Sequence, residues 1–146
     1  MNVSHYTPEH LQSAAQRTAD AYAEIANLQF GSNLPIPIPL NFDLCHEQPR
    51  ATGRANHSML IEINMILFQD NIDYILNNTI PHEIGHLVQY DIFELKGADI
   101  QGHGAEWKEI MRRFGKAPNK FHKLDVSKAV AFKKSLKKKP KKESKE

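Results

Sequence analysis

The segment His82-Glu83-Ile84-Gly85-His86 sets two imidazoles four residues apart, with a carboxylate beside the first. On a helix the two rings share a face, about 40° apart around the axis, so both reach one metal ion. Glu83 then projects beside that ion without having to bind it. Imidazole suits zinc, and a carboxylate next to zinc-activated water is the working arrangement of a metallopeptidase. A purely structural zinc site has no need of a carboxylate at this position.

Such a site needs a third ligand. One class of these enzymes keeps a histidine six residues after the second His, and here that position is Ile92. Glu106 and Glu109 lie twenty or more residues on, where another class keeps a glutamate. His103 stands seventeen residues on, between Gly102 and Gly104. Glycines let a short loop adopt backbone conformations that larger residues avoid, so the loop could carry His103 to the metal. His103 is therefore favoured, with the two glutamates kept as alternatives. Tyr90 and His57 are candidates to stabilise an oxyanion, although packing roles suit both better.

These residues need a scaffold. Thr7-Pro8-Glu9 reads as a helix start, with Thr7 as N-cap and Pro8 in the first turn. Leu11, Ala14, Ala15, Ala21, Tyr22, Ile25 and Leu28 continue it as an apolar stripe to about Gly31. Pro35-Ile36-Pro37-Ile38-Pro39 excludes helix and lacks the donors of a central strand, so it predicts an extended lead into a strand over 40–44. A second strand is expected over 51–55. A third is expected over 59–68, where Ile61-Glu62-Ile63-Asn64 alternates, and it is the expected edge beside the cleft. Helical spacing returns from Asn71 to about Phe93, with Pro81 either kinking that helix or starting a new one. Residues 96–104 read as a loop, and Trp107, Ile110 and Met111 mark a last helix over about 105–114, stopped at Gly115.

A chain of 146 residues predicts one domain, over 1–130, with a tail over 131–146. Cys45 is the single cysteine, which excludes an intramolecular disulfide and a cysteine-based zinc ribbon within the chain. No basic start with an apolar run opens the sequence and no stretch reaches the roughly 18 apolar residues of a membrane span. A cytoplasmic monomer without membrane association is the expectation. Charge is divided: residues 1–115 carry 7 basic and 14 acidic side chains, residues 116–146 carry 12 and 3. An acidic body with a basic arm follows. Lys133, Lys134, Lys137, Lys138, Lys139, Lys141 and Lys142, broken by Pro140, are expected to be disordered and suited to nucleic-acid phosphates. A solvated tail fits the composition equally well.

The combination Pro81-His-Glu-Ile-Gly-His86 with Gly102-His-Gly-Ala-Glu-Trp107 resembles the SprT-like metallopeptidases. Gly53-Arg54-Ala55, Ile61-Glu62-Ile63-Asn64 and Phe121-His122-Lys123-Leu124 extend the resemblance over about residues 7–129. It implies an α+β, zincin-like domain: an N-terminal helix, a short sheet of about three strands, the HExxH helix and a C-terminal helix. It implies one Zn2+ on His82, His86 and His103, with Glu83 as catalytic acid/base. It also implies protein substrates, and by analogy with Spartan-type relatives, a role in repairing DNA–protein crosslinks. Many bacterial members continue into a cysteine zinc ribbon, where this sequence has lysines. Two rival readings stand beside it: a non-catalytic nucleic-acid-binding zinc module, and an ImmA/IrrE-like peptidase that cleaves a regulatory partner.

Overall fold

In the computed structural model, residues 8–94, 102–119 and 121–144 are described. The chain is α+β, with helices packed around a mixed three-stranded sheet. Among the described residues no helix is long and apolar enough to cross a membrane. Helix α1 spans Pro8–Phe30 and buries Leu11, Ala15, Ala19, Ala23 and Ala26. Its buried stripe is rotated from the expected one: Ile25 and Leu28 face outward. Small residues on the inner face let the helix backbone lie close to the core, which the larger side chains would prevent. Thr7, the expected N-cap, lies outside the described residues.

The proline-rich segment is tied to α1 through Ile38 and meets the sheet at its end, where Pro39 O accepts from Ile61 N at 3.0 Å. Ile38 N–H donates to Asp20 Oδ1 at 2.9 Å, and Gln16 Nε2 donates to Ile38 O at 2.9 Å. This satisfies Ile38 N–H, one of only two backbone donors in a segment whose prolines supply none.

Strand β1 is only Leu40–Asn41, followed by a 3₁₀ turn at Leu44–His46. Strands β2 (Gly53–Ala55) and β3 (Ile61–Ile63) complete the sheet in the order β1-β3-β2. β3 runs parallel to β1, with Leu40 opposite Ile61, and antiparallel to β2, with Arg54 opposite Glu62. Ile61 and Ile63 point into the core, while Glu62 takes Arg54 Nε and Nη2 at 2.9 and 2.8 Å on the other face.

Two expectations about β3 are corrected here. It is the central strand, and β2 is the edge beside the cleft. It also ends at Ile63, and Met65–Asp70 forms helix α2. Buried Asn64 makes that switch: its Oδ1 accepts from Leu67 N at 3.2 Å, capping α2. Its Nδ2 donates to Pro49 O and Ala51 O, each at 3.0 Å, holding the approach to β2.

Helix α3 (Ile72–Tyr74) passes through a π-helical turn, Ile75–Thr79, into α4, Ile80–Val88. Pro81 thus neither starts an isolated helix nor stands in a regular α-helical interior. The wider turn just before it leaves room for a ring that would otherwise clash with the preceding turn. A second π-helical stretch, Gln89–Glu94, follows α4. Of the expected loop over 96–104, residues 96–101 lie outside the described residues.

Helix α5 (Ala105–Arg113) closes with Gly115 at φ 74°, Gly115 N–H on Arg112 O and Lys116 N–H on Met111 O. These two bonds form the glycine-ended helix stop that turns the chain sharply. Helix α6 spans Ser127–Ser144. The boundary expected at residue 130 therefore falls inside a helix, and the lysine run continues it where an unstructured arm was expected. Local helix propensity of lysine and docking of the first turns explain the difference. Ala129 packs with Cys45 and Leu67, the Phe132 ring lies against His46, and Lys128 pairs with Asp70 at 2.9 Å. Lys133 Nζ donates to Glu47 O at 3.0 Å.

Candidate metal centre

Helix α4 carries His82 and His86 one turn apart on the face toward the cleft, and the turn before α5 brings His103 over them. Their ring centroids form a nearly equilateral triangle with sides of 4.8, 4.9 and 5.0 Å. One nitrogen from each lies within 4.8 Å of the others, an arrangement that could hold a single metal ion. His82 Nε2 and His103 Nε2 are 2.9 Å apart. Two ligand nitrogens on a tetrahedral zinc, with bonds of about 2.0–2.1 Å, lie about 3.3 Å apart, so the residues fit that ion. Glu109 is engaged instead with Arg112 and Arg113 at the surface. Neither it nor Glu106 joins the cluster.

Trp107 holds α5 against α4. It is fully buried, its Nε1 donates to His82 O at 3.1 Å, and its ring stands 4.7 Å from His82 and 4.8 Å from His103. Gly85 makes the approach possible. A Cβ there would meet Met111 Cε at 2.6 Å and Trp107 Cδ1 and Nε1 at 3.0 Å. The glycine inside the motif is therefore a packing requirement between the two ligand-bearing elements.

The environment keeps the His82 and His86 rings neutral. Burial, followed by the neighbouring His86 and His103, lowers the pKa of His82 to about 3 despite a hydrogen bond to the Asn119 backbone. Burial also lowers His86. Neutral rings present the lone pairs that a metal takes. Glu83 is buried, and burial raises its pKa to about 8, opposed by a bond from the Ala55 backbone. A cation held by the three histidines would favour the carboxylate and offset that burial.

The site opens into a cleft of about 1060 Å³. Edge strand β2 forms one wall. Ladder bonds run through Thr52 and Asn56, so by alternation Gly53 and Ala55 turn their backbone groups away from β3. The chain between α5 and α6 forms the opposite rim, with Phe121 82% exposed and 6.4 Å from His103. His122 fastens this rim, its Nε2 donating to Arg50 O at 2.7 Å while Leu124 N–H donates to Nδ1 at 3.0 Å. His57 and Tyr90 also face the cleft, stacked at 4.0 Å. The basic residues Lys133 and Lys134 lie on α6, and neither lines the cleft. Lys137, Lys138, Lys139, Lys141 and Lys142 follow on the same helix, with their side chains outside the described residues.

Sequence reasoning missed Gln89, whose Oε1 lies 2.7 Å from His86 Nδ1. Its only signal was its position three residues after His86, on the same helical face.

A SprT-like family model matches residues 21–128, most of the chain and all of the site described above. The chain belongs to the SprT-like family. Among curated SprT-like relatives, Protein SprT of Pseudomonas entomophila is 40% identical over 100 residues, 66% of this chain and 57% of that one. Protein SprT of Vibrio atlanticus is 29% identical over 124 residues, covering 84% of this chain and 69% of that one. Protein SprT of Pseudomonas putida (strain F1) is 38% identical over 121 residues, covering 82% and 67%. The match thus spans little more than half of the Pseudomonas entomophila protein. No solved structure gave a significant match.

Proposed function

We propose that this SprT-like chain is a zinc-dependent endopeptidase in which His82, His86 and His103 hold one Zn2+ and Glu83 is the general base. The observation that carries this reading is the convergence of three histidines with a buried carboxylate, beside an edge strand, in one cleft. A bound zinc ion supplies Lewis acidity, acidifying water and polarising a carbonyl. The Glu83 carboxylate takes the proton of the attacking water and returns it to the leaving amine nitrogen. No side-chain nucleophile is required, so no covalent acyl-enzyme forms.

An extended substrate would lie along β2, where the Gly53 backbone and the Ala55 carbonyl face outward and suit strand addition while the Ala55 N–H is engaged with Glu83. That mode reads backbone more than side chains and favours unfolded or flexible protein segments. The lysine run after Ala131 suits phosphate backbones, which extends the reading to DNA-associated proteins, including those crosslinked to DNA.

The test is cleavage of an unfolded DNA-binding protein by zinc-loaded chain, with and without single-stranded DNA, beside Glu83→Gln. The variant is expected to keep stoichiometric zinc and lose at least about 100-fold in turnover, as loss of a general base implies. Undiminished turnover in Glu83→Gln would sink the mechanism. Cleavage that DNA leaves unchanged would remove the DNA-associated part of the reading.

A further inference from the structure

Gln89 sits one turn after His86 at the start of the second π-helical stretch, only 1% exposed. Its Oε1 is 2.7 Å from His86 Nδ1. Its Nε2 is buried with no hydrogen-bond partner among the described residues. A buried amide with an unfilled donor is a cost to folding, and an apolar side chain of the same length would avoid it. The amide is therefore unlike the other buried polar groups of this fold, such as Asn64, whose side chain is fully engaged.

We propose that Gln89 is a positioning residue for the metal. By accepting the Nδ1 proton of His86 it selects the tautomer whose Nε2 is bare, the atom that must bind alongside His82 and His103. The inference rests on the metallopeptidase reading above, since a metal is what requires a bare nitrogen there. The reverse orientation of the amide would set N–H against Nδ1 and drive the ring proton onto Nε2, closing the site. With no acceptor at 89, the ring shares its proton between both nitrogens and loses a constraint on its rotation. Such outer partners of metal-bound histidines commonly change affinity by about 10–100-fold. His82 is held by different means, through its bond to the Asn119 backbone. The two ligands on α4 thus have separate supports, and the loss of one leaves the other.

The experiment compares wild type, Gln89→Met and Gln89→Glu in the full chain. Zinc affinity is measured by competition with a chromophoric chelator, and the melting temperature on the metal-free protein. Gln89→Met is expected to bind zinc about 10–100-fold more weakly, a loss of about 1.4–2.7 kcal/mol at 1.36 kcal/mol per decade. Its metal-free form is expected to melt close to the wild-type temperature, because the orphaned Nε2 donor goes while His86 Nδ1 loses its partner. Gln89→Glu keeps the acceptor and is expected to bind at least as tightly as wild type. Weaker zinc binding with little change in metal-free stability is what a merely structural glutamine would not produce. Wild-type zinc affinity in a Gln89→Met chain that folds overturns the inference, and so does weaker binding by Gln89→Glu than by wild type. Should Gln89→Met fail to fold, Gln89→Glu decides alone, and weaker binding than wild type overturns it. If the wild-type chain binds no zinc, the metallopeptidase reading falls and takes this inference with it. Zinc binding by wild type with an unaffected Gln89→Met refutes the inference alone.

Discussion

Replacing Gly85 by alanine tests how the two ligand-bearing elements are held together. The added Cβ would lie 2.6 Å from Met111 Cε and 3.0 Å from Trp107 Cδ1 and Nε1, where relaxed carbon contacts are about 3.5–4.0 Å. Met111 can swing its terminal methyl aside, but Trp107 is fully buried and must retreat by roughly half an ångström or more. That movement stretches the 3.1 Å bond from Trp107 Nε1 to His82 O and draws α5, with His103 before it, away from α4. Overpacking of this kind costs about 1–3 kcal/mol, and the weakened hydrogen bond up to about 1 kcal/mol more. Alanine in place of glycine inside a helix returns about 1 kcal/mol. The expected net destabilisation is about 0–3 kcal/mol by denaturant unfolding of the metal-free chain. Zinc affinity should fall by about 10–100-fold, because His103 is displaced while its identity is unchanged. Adding Met111→Ala should recover only the part due to the Cε contact, which a double-mutant cycle separates. A Gly85→Ala protein that is as stable as wild type, with undiminished zinc affinity, would refute the packing account.

Stability of the metal-free chain should depend on pH in both directions. The folded pKa of His82 is lowered to about 3 from 6.5, so its contribution is present above about pH 6.5 and is lost as pH falls toward 3; His86 adds in the same sense. Glu83 is raised to about 8 from 4.5, so its contribution is complete below about pH 4.5 and is lost as pH rises through 8. Denaturant midpoints should therefore peak at about pH 6–7, and a midpoint still rising at pH 9 would contradict the burial of Glu83. Gly53→Ala should separate catalysis from metal binding, since its Cβ meets first Thr79 Cγ2 at 2.7 Å and then Cγ of the general base Glu83 at 3.3 Å, before any ligand histidine. Zinc stoichiometry is expected to hold while kcat/KM drops about tenfold or more, the scale on which a displaced catalytic group acts; unchanged kinetics would show that β2 gives way freely.

Several features of this chain were legible in its residues because short-range chemistry decides them. His82 and His86 share a face because four residues make about one helical turn. Pro35 to Pro39 could not be helix, and Gly115 could end one, because proline and glycine limit or widen the backbone wherever they occur. Other features followed from which faces meet in space. α1 turns its alanines inward and leaves Leu28 outside because the core admits a close helix and no bulky one. β3 stops at Ile63 because Asn64 finds Pro49 and Ala51 across the chain, as well as Leu67 ahead of it. His103 reaches the other two histidines through contacts that no spacing rule contains: Trp107 seated on Gly85, and its indole bonded to His82 O. Gln89 shows its purpose only beside the His86 ring it touches. The sequence by itself determined the donor chemistry of the site, since residue types are local facts. The tertiary structure decided the third corner of the triangle, the strand that borders the cleft and the support of each ring, because those depend on packing between segments far apart in the chain.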